Sequence, residues 1–365
     1  MVSAGFWPAI GGAERQALEL SAALAARGHR VTVLTRRVGA LPAREIHRGV
    51  HIRRLGVIGV GTLDSLSFLV GAFAWLLFHW VEWDAVHAHL AGSPALAAAG
   101  AGRLLGRPVL VKLGGGRGIG ELAASSQTFR GRVKLRILAV LRPKFLAVVP
   151  DLAAEAREFL GEAPVEILPN GVDVERYHPA YAVRKRALRK QLGWDENAVV
   201  FLYAGRFSPE KRLPWFLRCW REAAGARSLI VLVGDGPERA PISAEASDQV
   251  RILAPREDVA DLYAAADAFI LPSISEGLSN ALLEAMSSGL APLASRVGGT
   301  AETVEDGRTG LLFERDDEAG LKAAIRRFES EPGLAARLGA AARAEVVERY
   351  LLEAVANRCV ELYHR

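Results

Sequence analysis

Short apolar runs alternate along this chain with longer stretches in which apolar positions recur every three to four residues. Residues 31–35, 51–55, 85–88, 109–112 and 147–149 read as strands. Helices are predicted between them at about 13–27, 64–80, 93–105, 120–140 and 151–160, the first stopped by Gly28. The second half repeats the pattern. Strands are predicted at 199–203, 229–233, 250–253, 268–271 and 291–294, and helices near 213–224, 257–265, 279–287, 299–304 and 318–328. Strand–helix alternation of this kind builds parallel α/β sheets. The polar, Arg/Lys-rich stretch 181–196 between the blocks reads as a linker with a short helix. The first strand is stubby, because only Val2-Ser3-Ala4 precede Gly5; either the strand is short or part of it is missing from the start.

Composition fits two globular domains. The chain has 365 residues, 50% of them hydrophobic and 24% charged, which excludes a disordered protein. Two cysteines, Cys219 and Cys359, exclude a disulfide scaffold and a cysteine-built zinc site, and fit a reducing cytoplasm. The net charge of +5 is uneven: residues 1–150 hold nineteen basic and seven acidic side chains, so the first half is strongly positive and the rest negative. That split points to an anionic partner for the first half. No secretory leader pattern is visible at the start. Residues 66–81 are almost entirely apolar but short for a membrane span, so they read as a buried helix or a membrane-surface contact. Residues 130–144 carry six cations and no acid, interleaved with Val, Leu and Ile. This is the pattern of a basic amphipathic helix on an anionic membrane, or of a merely solvated cationic helix. No nucleic-acid-binding module is recognisable.

Gly-rich turns sit at strand-to-helix junctions in both halves: Gly11-Gly12, Gly114-Gly115-Gly116, Gly234-Asp235-Gly236 and Gly298-Gly299. Glycine lets backbone N–H groups at a helix start approach an anion, although a tight turn favours glycine anyway. Their presence in both halves predicts phosphates held in an interdomain cleft. No register gives G-x-G-x-x-G, and no P-loop sequence occurs, so NAD-binding and P-loop NTPase readings lose their main support. There is no G-x-S-x-G nucleophile elbow. The one adjacent Asp pair, Asp316-Asp317, precedes a helix and reads as an N-cap rather than a metal site.

Four segments carry a more specific signal: Gly11-Gly12-Ala13-Glu14, Pro169-Asn170-Gly171-Val172-Asp173, Gly205-Arg206-Phe207-Ser208-Pro209-Glu210-Lys211, and Glu276 through Met286, where Glu276 and Glu284 are separated by seven residues. Together they resemble the retaining glycosyltransferases of family 4, over essentially the whole chain. The resemblance implies an α/β GT-B fold of two Rossmann-like domains facing across a cleft. It places an acceptor-side domain at 1–180 and a donor-binding domain at 181–344, with a C-terminal helix at about 345–365 crossing back to the first.

The chemistry fits that resemblance. A nucleotide-diphosphate sugar gathers negative charge on its phosphate as the sugar departs, and Arg206 and Lys211 on one loop can stabilise it. By resemblance, Glu276 meets donor-sugar hydroxyls and Glu284 the ribose. Backbone N–H groups of Gly277, Leu278 and Ser279 meet the diphosphate, with Gly205 and Gly234 lining the same loops. Gly11 and Gly12 approach the donor, and the backbone around Arg256 contacts the base. Glu14 suits the helix dipole or orients the acceptor.

Many family members carry a histidine just after the strand at 109–112. Lys112-Leu113-Gly114-Gly115 stand there instead. Lys112 and Arg117 could supply charge in its place, and His87 and His89 are alternative histidines. The implied enzyme is retaining and needs neither cofactor nor metal. It uses a UDP- or GDP-sugar and a glycan or lipid-linked acceptor, and works in the cytoplasm or on the inner membrane face. The resemblance points to no carboxylate nucleophile, and implies front-face return instead. A GT-B epimerase or phosphorylase, or a non-catalytic nucleotide-sugar-binding protein, are the alternatives.

Overall fold

The structure is a computed structural model and describes residues 1–8, 11–256 and 258–364. It divides into two compact units, residues 1–171 with 352–365, and residues 172–351. In chain order the first unit comprises β1 (Val2–Ser3), α1 (Gly12–Ala26), β2 (Thr32–Arg36), β3 (Arg44–His47), β4 (Val50–Leu55), α2 (Thr62–Phe78), β5 (Val86–His89), α3 (Ser93–Leu105), β6 (Val109–Lys112), α4 (Glu121–Ser126), α5 (Phe129–Leu141), β7 (Lys144–Ala147), α6 (Pro150–Leu160) and β8 (Val165–Ile167). The second comprises α7 (Ala182–Leu192), β9 (Val199–Ala204), α8 (Leu213–Ala223), β10 (Ser228–Val233), α9 (Arg239–Ser243), β11 (Val250–Leu253), α10 (Val259–Ala265), β12 (Ala268–Leu271), α11 (Asn280–Ser287), β13 (Ala291–Ser295), α12 (Gly298–Thr303), β14 (Leu311–Phe313), α13 (Glu318–Ser330) and α14 (Leu334–Arg349). The last helix, α15 (Leu352–Tyr363), returns to the first unit.

The first sheet runs β3-β4-β2-β1-β5-β6-β7-β8, parallel except for the edge strand β3, which pairs antiparallel with β4. The second runs β11-β10-β9-β12-β13-β14, and its pairings are parallel. Central strands such as β10 are buried along their whole length, as expected where helices cover both faces. Strand order reverses between β1 and β5 in the first unit and between β9 and β12 in the second. Open α/β sheets bind ligands beyond the carboxyl ends of their strands at such reversals.

Several elements depart from the sequence reading. The helix expected over 120–140 is two helices. Thr128 caps the second by accepting the Gly131 N–H at 3.0 Å, and Gly131 lies so close to the Ser125 carbonyl that no side chain fits there. The stretch 181–196 holds the expected short helix, α7, but that helix is packed into the second unit rather than lying in a linker. Arg189 of α7 is 4% exposed and donates to the carbonyls of Ala265, Glu196 and Ala198, each at 2.9 Å, and to Asp267 at 2.6 Å, docking the helix onto the second unit. The predicted helix at 257–265 begins on Glu257, which lies outside the described residues, as does Arg365 at the end of the predicted C-terminal helix. That helix is really two, α14 and α15, and only α15 joins the first unit.

Residues 172–180 belong to the second unit, because the Tyr177 ring packs edge-on against Tyr263 and its carbonyl accepts the Ser287 hydroxyl at 2.5 Å. α15 buries Leu352, Val355, Ala356, Cys359 and Leu362 at helical spacing. The last four join Ala17, Leu20 and Leu24 of α1, Val33 of β2 and Leu110 of β6 in one core.

Candidate active site

In the second unit the loops after β9 and β12, on either side of the strand reversal, carry Arg206, Lys211 and Glu276. The two loops meet: Lys211 Nζ donates to Glu276 Oε1 at 2.5 Å, and the Ser273 hydroxyl donates to the same oxygen at 2.6 Å. Glu276 is 8% exposed and is fixed from behind, since its carbonyl accepts the Gly299 N–H at 3.2 Å. Gly298, at φ 39°, packs directly on that carbonyl, so a side chain there would displace Glu276.

Arg206 is exposed, and among the described residues its guanidinium has no hydrogen-bond or ion-pair partner. Its backbone is held, because the buried Tyr203 hydroxyl donates to the Arg206 carbonyl at 2.8 Å. Burial and then the neighbouring Glu276 push the Tyr203 phenol well above its usual range, so it stays a donor. Burial would raise the Glu210 carboxyl, but the Ser208 hydroxyl, the backbone, Lys211 and Arg206 together hold it below its usual value. Gly205 and Gly234 bring the loops after β9 and β10 backbone to backbone: the Gly205 N–H reaches the Val233 carbonyl at 3.0 Å, and a Cβ on Gly234 would strike the Gly205 carbonyl.

Glu284 sits on α11, 6% exposed, and its Oε2 accepts the Tyr263 hydroxyl at 3.2 Å. Ser279 caps α11 by accepting the Leu282 N–H at 3.3 Å, so Gly277, Leu278 and Ser279 lead into a capped helix start. The Arg256 guanidinium, just past β11, forms a two-point pair with Asp258 at 2.5 Å. Asp317 caps α13 through the Gly320 N–H at 2.9 Å, while Asp316 pairs with Arg212 at 2.5 Å.

Six of the sequence-derived candidates lie in the first unit. Gly11 caps α1 and Gly12 opens it. The Glu14 carboxylate folds back over Gly5 and Gly11, so both glycines leave room for it. Arg117 is engaged by Asp151 at 3.0 Å and Glu158 at 2.5 Å. The glycine loop after β6 also hands N–H groups to carboxylates, from Gly114 to Glu121 Oε1 at 3.1 Å and from Gly118 to Glu155 Oε1 at 2.8 Å. Glu121 Oε2 takes the Ala91 N–H at 2.6 Å, which ties the loop after β5 to the loop after β6. Burial pushes the Glu121 carboxyl up to about 7 against these two bonds. The Arg117 guanidinium and the N–H groups of Gly114 and Gly118 are therefore held by acids of their own unit. His89 and Lys112 are neighbours across β5 and β6, both buried.

Sequence reasoning missed Ser273, Tyr203 and Tyr263. Ser273 stands three residues before Glu276, a spacing that could have flagged it. The two tyrosines meet their partners only through the fold.

Two doubly wound α/β units in one chain are the architecture of the GT-B glycosyltransferases, and solved structures of that kind superpose on the chain. Sucrose-phosphate synthase from Thermosynechococcus elongatus does so with a TM-score of 0.81 at 23% identity, covering 100% of this chain and 98% of that one. Anabaena HepE in complex with UDP-glucose gives 0.80 at 20% identity, covering 99% and 98%. Residues 10–176 match Glycosyltransferase Family 4 and residues 198–330 match Glycosyl transferases group 1, and the chain belongs to this glycosyltransferase family. Curated relatives include the alpha-maltose-1-phosphate synthase of Mycolicibacterium smegmatis, 29% identical over 55% of this chain and 57% of that protein. The D-inositol 3-phosphate glycosyltransferase of Streptomyces avermitilis is 31% identical over 54% and 46%. The lipopolysaccharide core biosynthesis glycosyltransferase LpsD of Rhizobium meliloti is 29% identical over 60% and 63%. The chain thus spans about half the length of the first curated relatives it matches.

Proposed function

We propose that this chain is a retaining glycosyltransferase that moves a sugar from a nucleotide-diphosphate donor to a hydroxyl of a glycan or lipid-linked acceptor. The observation that carries the reading is the meeting of Lys211 with Glu276 beside an unpaired Arg206, at the strand reversal of the second unit. In this reading Arg206 and Lys211 take the donor diphosphate, and the growing charge on the departing phosphate strengthens both contacts in the transition state. Glu276, released from Lys211, accepts hydroxyls of the sugar. Glu284, held by Tyr263, accepts ribose hydroxyls, and the segment around Arg256 offers its backbone to the base. The departing phosphate deprotonates the acceptor on the same face, so no carboxylate nucleophile and no metal ion is assigned. A bound UDP-glucose in HepE supports a nucleotide-sugar donor, and LpsD a lipopolysaccharide-type acceptor.

The first unit supports contact with an anionic membrane from the cytoplasmic side. α5 exposes Phe129 and Val140 among Arg130, Arg132 and Arg136, and α2 exposes Leu63, Leu66 and Val70. Arg130 reaches the Thr62 hydroxyl at 3.0 Å, so the starts of the two helices adjoin. Among the described residues no helix is long and apolar enough to cross a membrane.

A melting screen across UDP-, GDP-, ADP- and TDP-sugars tests the donor, followed by turnover in EDTA and NMR assignment of the product anomer. Stabilisation by one nucleotide sugar, turnover in EDTA and a retained anomer are expected. No stabilisation by any nucleotide sugar defeats the reading. An acceptor-free epimer, or dependence on inorganic phosphate, would favour an epimerase or a phosphorylase instead.

A further inference from the structure

We propose that Lys112, flanked by His87 and His89, forms a subsite in the first unit for a phosphate group carried by the acceptor. The inference rests on the transferase reading above and deepens it, since that reading leaves the acceptor's chemistry open.

The three side chains share one face of the sheet, because β5 and β6 run parallel in register with His87 beside Leu110 and His89 beside Lys112. The imidazoles stack with centroids 4.7 Å apart and planes within 4°. α15 closes the same face: the Tyr363 hydroxyl lies 3.0 Å from His87 Nδ1, and the Cys359 thiol acts on Lys112. His87, His89 and Lys112 are 2%, 2% and 7% exposed.

The arrangement is incomplete as it stands. Nε2 of each imidazole is buried without a hydrogen-bond partner among the described residues. Lys112 has no hydrogen-bond or ion-pair partner among them either. Burial, and then the Lys112 and N-terminal ammonium charges, act to lower the two imidazoles. Glu121 spends both oxygens on the Ala91 and Gly114 N–H groups, and Glu155 gives Oε1 to the Gly118 N–H while its Oε2 is buried without a partner among the described residues. Buried polar groups are satisfied in nearly all native proteins, and the two Nε2 atoms are exceptions. Burial lowers Lys112 to about 8, so it still carries its proton at neutral pH. The ammonium of a side chain only 7% exposed and two imidazoles with free Nε2 atoms, on β5 and β6 beside the strand reversal, match a multi-oxygen anion. The donor diphosphate is assigned to Arg206 and Lys211 in the second unit, so the anion met here belongs to the acceptor. A soluble sugar phosphate and a prenyl-linked phosphate share this chemistry.

Calorimetric titration of the full chain with glucose 1-phosphate and with farnesyl diphosphate, against glucose and farnesol, separates the two sources. One phosphate is expected to bind and its unphosphorylated parent not to bind. Lys112→Met should weaken that binding at least tenfold, and Lys112→Arg should keep most of it. At pH 8.5 binding should take up protons, read from the dependence of the heat on buffer ionisation, because the anion draws Lys112 back to its charged form. If Lys112→Met does not melt cooperatively, His89→Leu is held to the same tenfold criterion. Failure of both phosphates to bind the parent chain, or undiminished binding in the folded variant, overturns the subsite. UDP-glucose melting shifts are run in parallel: their persistence with no phosphate binding sinks this inference alone, whereas no stabilisation by any nucleotide sugar sinks the donor reading.

Discussion

Lys211 and Glu276 lie 65 residues apart in sequence and share a 2.5 Å charge-assisted hydrogen bond. The pair joins the loops after β9 and β12, so each side chain is positioned by the other before any ligand arrives. Glu276→Ala should lower donor turnover about 10²–10³-fold with the fold retained, as loss of a transition-state contact does. Lys211→Ala should do the same, and the double variant should fall well short of the product of the two losses, because the residues act as a unit. Single-turnover kinetics of all three checks this; multiplicative losses would show that the two act independently.

The Tyr263 hydroxyl is one polar contact of Glu284 on α11. Tyr263→Phe removes one hydrogen bond to a carboxylate, worth about 1.5 kcal/mol, so donor KM should rise roughly tenfold with kcat little changed. An equal fall in kcat would instead assign Tyr263 to the chemical step.

Burial lowers His87 to about 3 and His89 well below its usual value. For a base whose folded value is depressed, the unfolded chain binds more protons over the interval between the two values. The stability that neutral imidazoles contribute above about pH 6.5 is therefore lost as pH falls toward 3, with a slope of up to about 1.4 kcal/mol per pH unit for each group. Urea unfolding between pH 4 and 7 should show a shallower acid loss for His89→Leu than for the parent chain. Identical slopes would mean that the imidazole is not neutral in the fold.

The exposed apolar and cationic side chains of α5 predict salt-sensitive binding to vesicles. Each Arg near an anionic surface contributes about 1 kcal/mol. Replacing Arg130, Arg132 and Arg136 together by Glu should abolish co-sedimentation with phosphatidylglycerol vesicles at low salt. Neutral phosphatidylcholine vesicles should bind neither form. Retained binding by the triple variant would place the contact elsewhere.

What the sequence made legible follows from what is local. Arg206 and Lys211 stand in one contiguous segment after an unmistakable strand, and Glu276 and Glu284 frame one helix start, so the resemblance to family 4 falls on short local motifs that single them out as candidates. Contacts made by the fold were hidden. Nothing in the chain announces that the Tyr203 hydroxyl bonds the Arg206 carbonyl, or that Arg189 draws a polar helix onto four acceptors. The turn Gly114-Gly115-Gly116 reads as a candidate anion site, but Glu121 of α4 takes the Gly114 N–H and Glu155 of α6 the nearby Gly118 N–H. Strands β3, β8 and β14 are only three or four residues long and all sit at sheet edges, where alternation is too brief to register.

Glu121 grips Ala91 with one oxygen and Gly114 with the other, and a protonated carboxyl cannot accept equally at both. With its proton balance poised at about 7, the anchor spends comparable time ionised and neutral in ordinary buffer. Two backbone loops are thus coupled to a single proton. The amide resonances of Ala91 and Gly114 should broaden together near neutrality and sharpen together when the solution is made more alkaline.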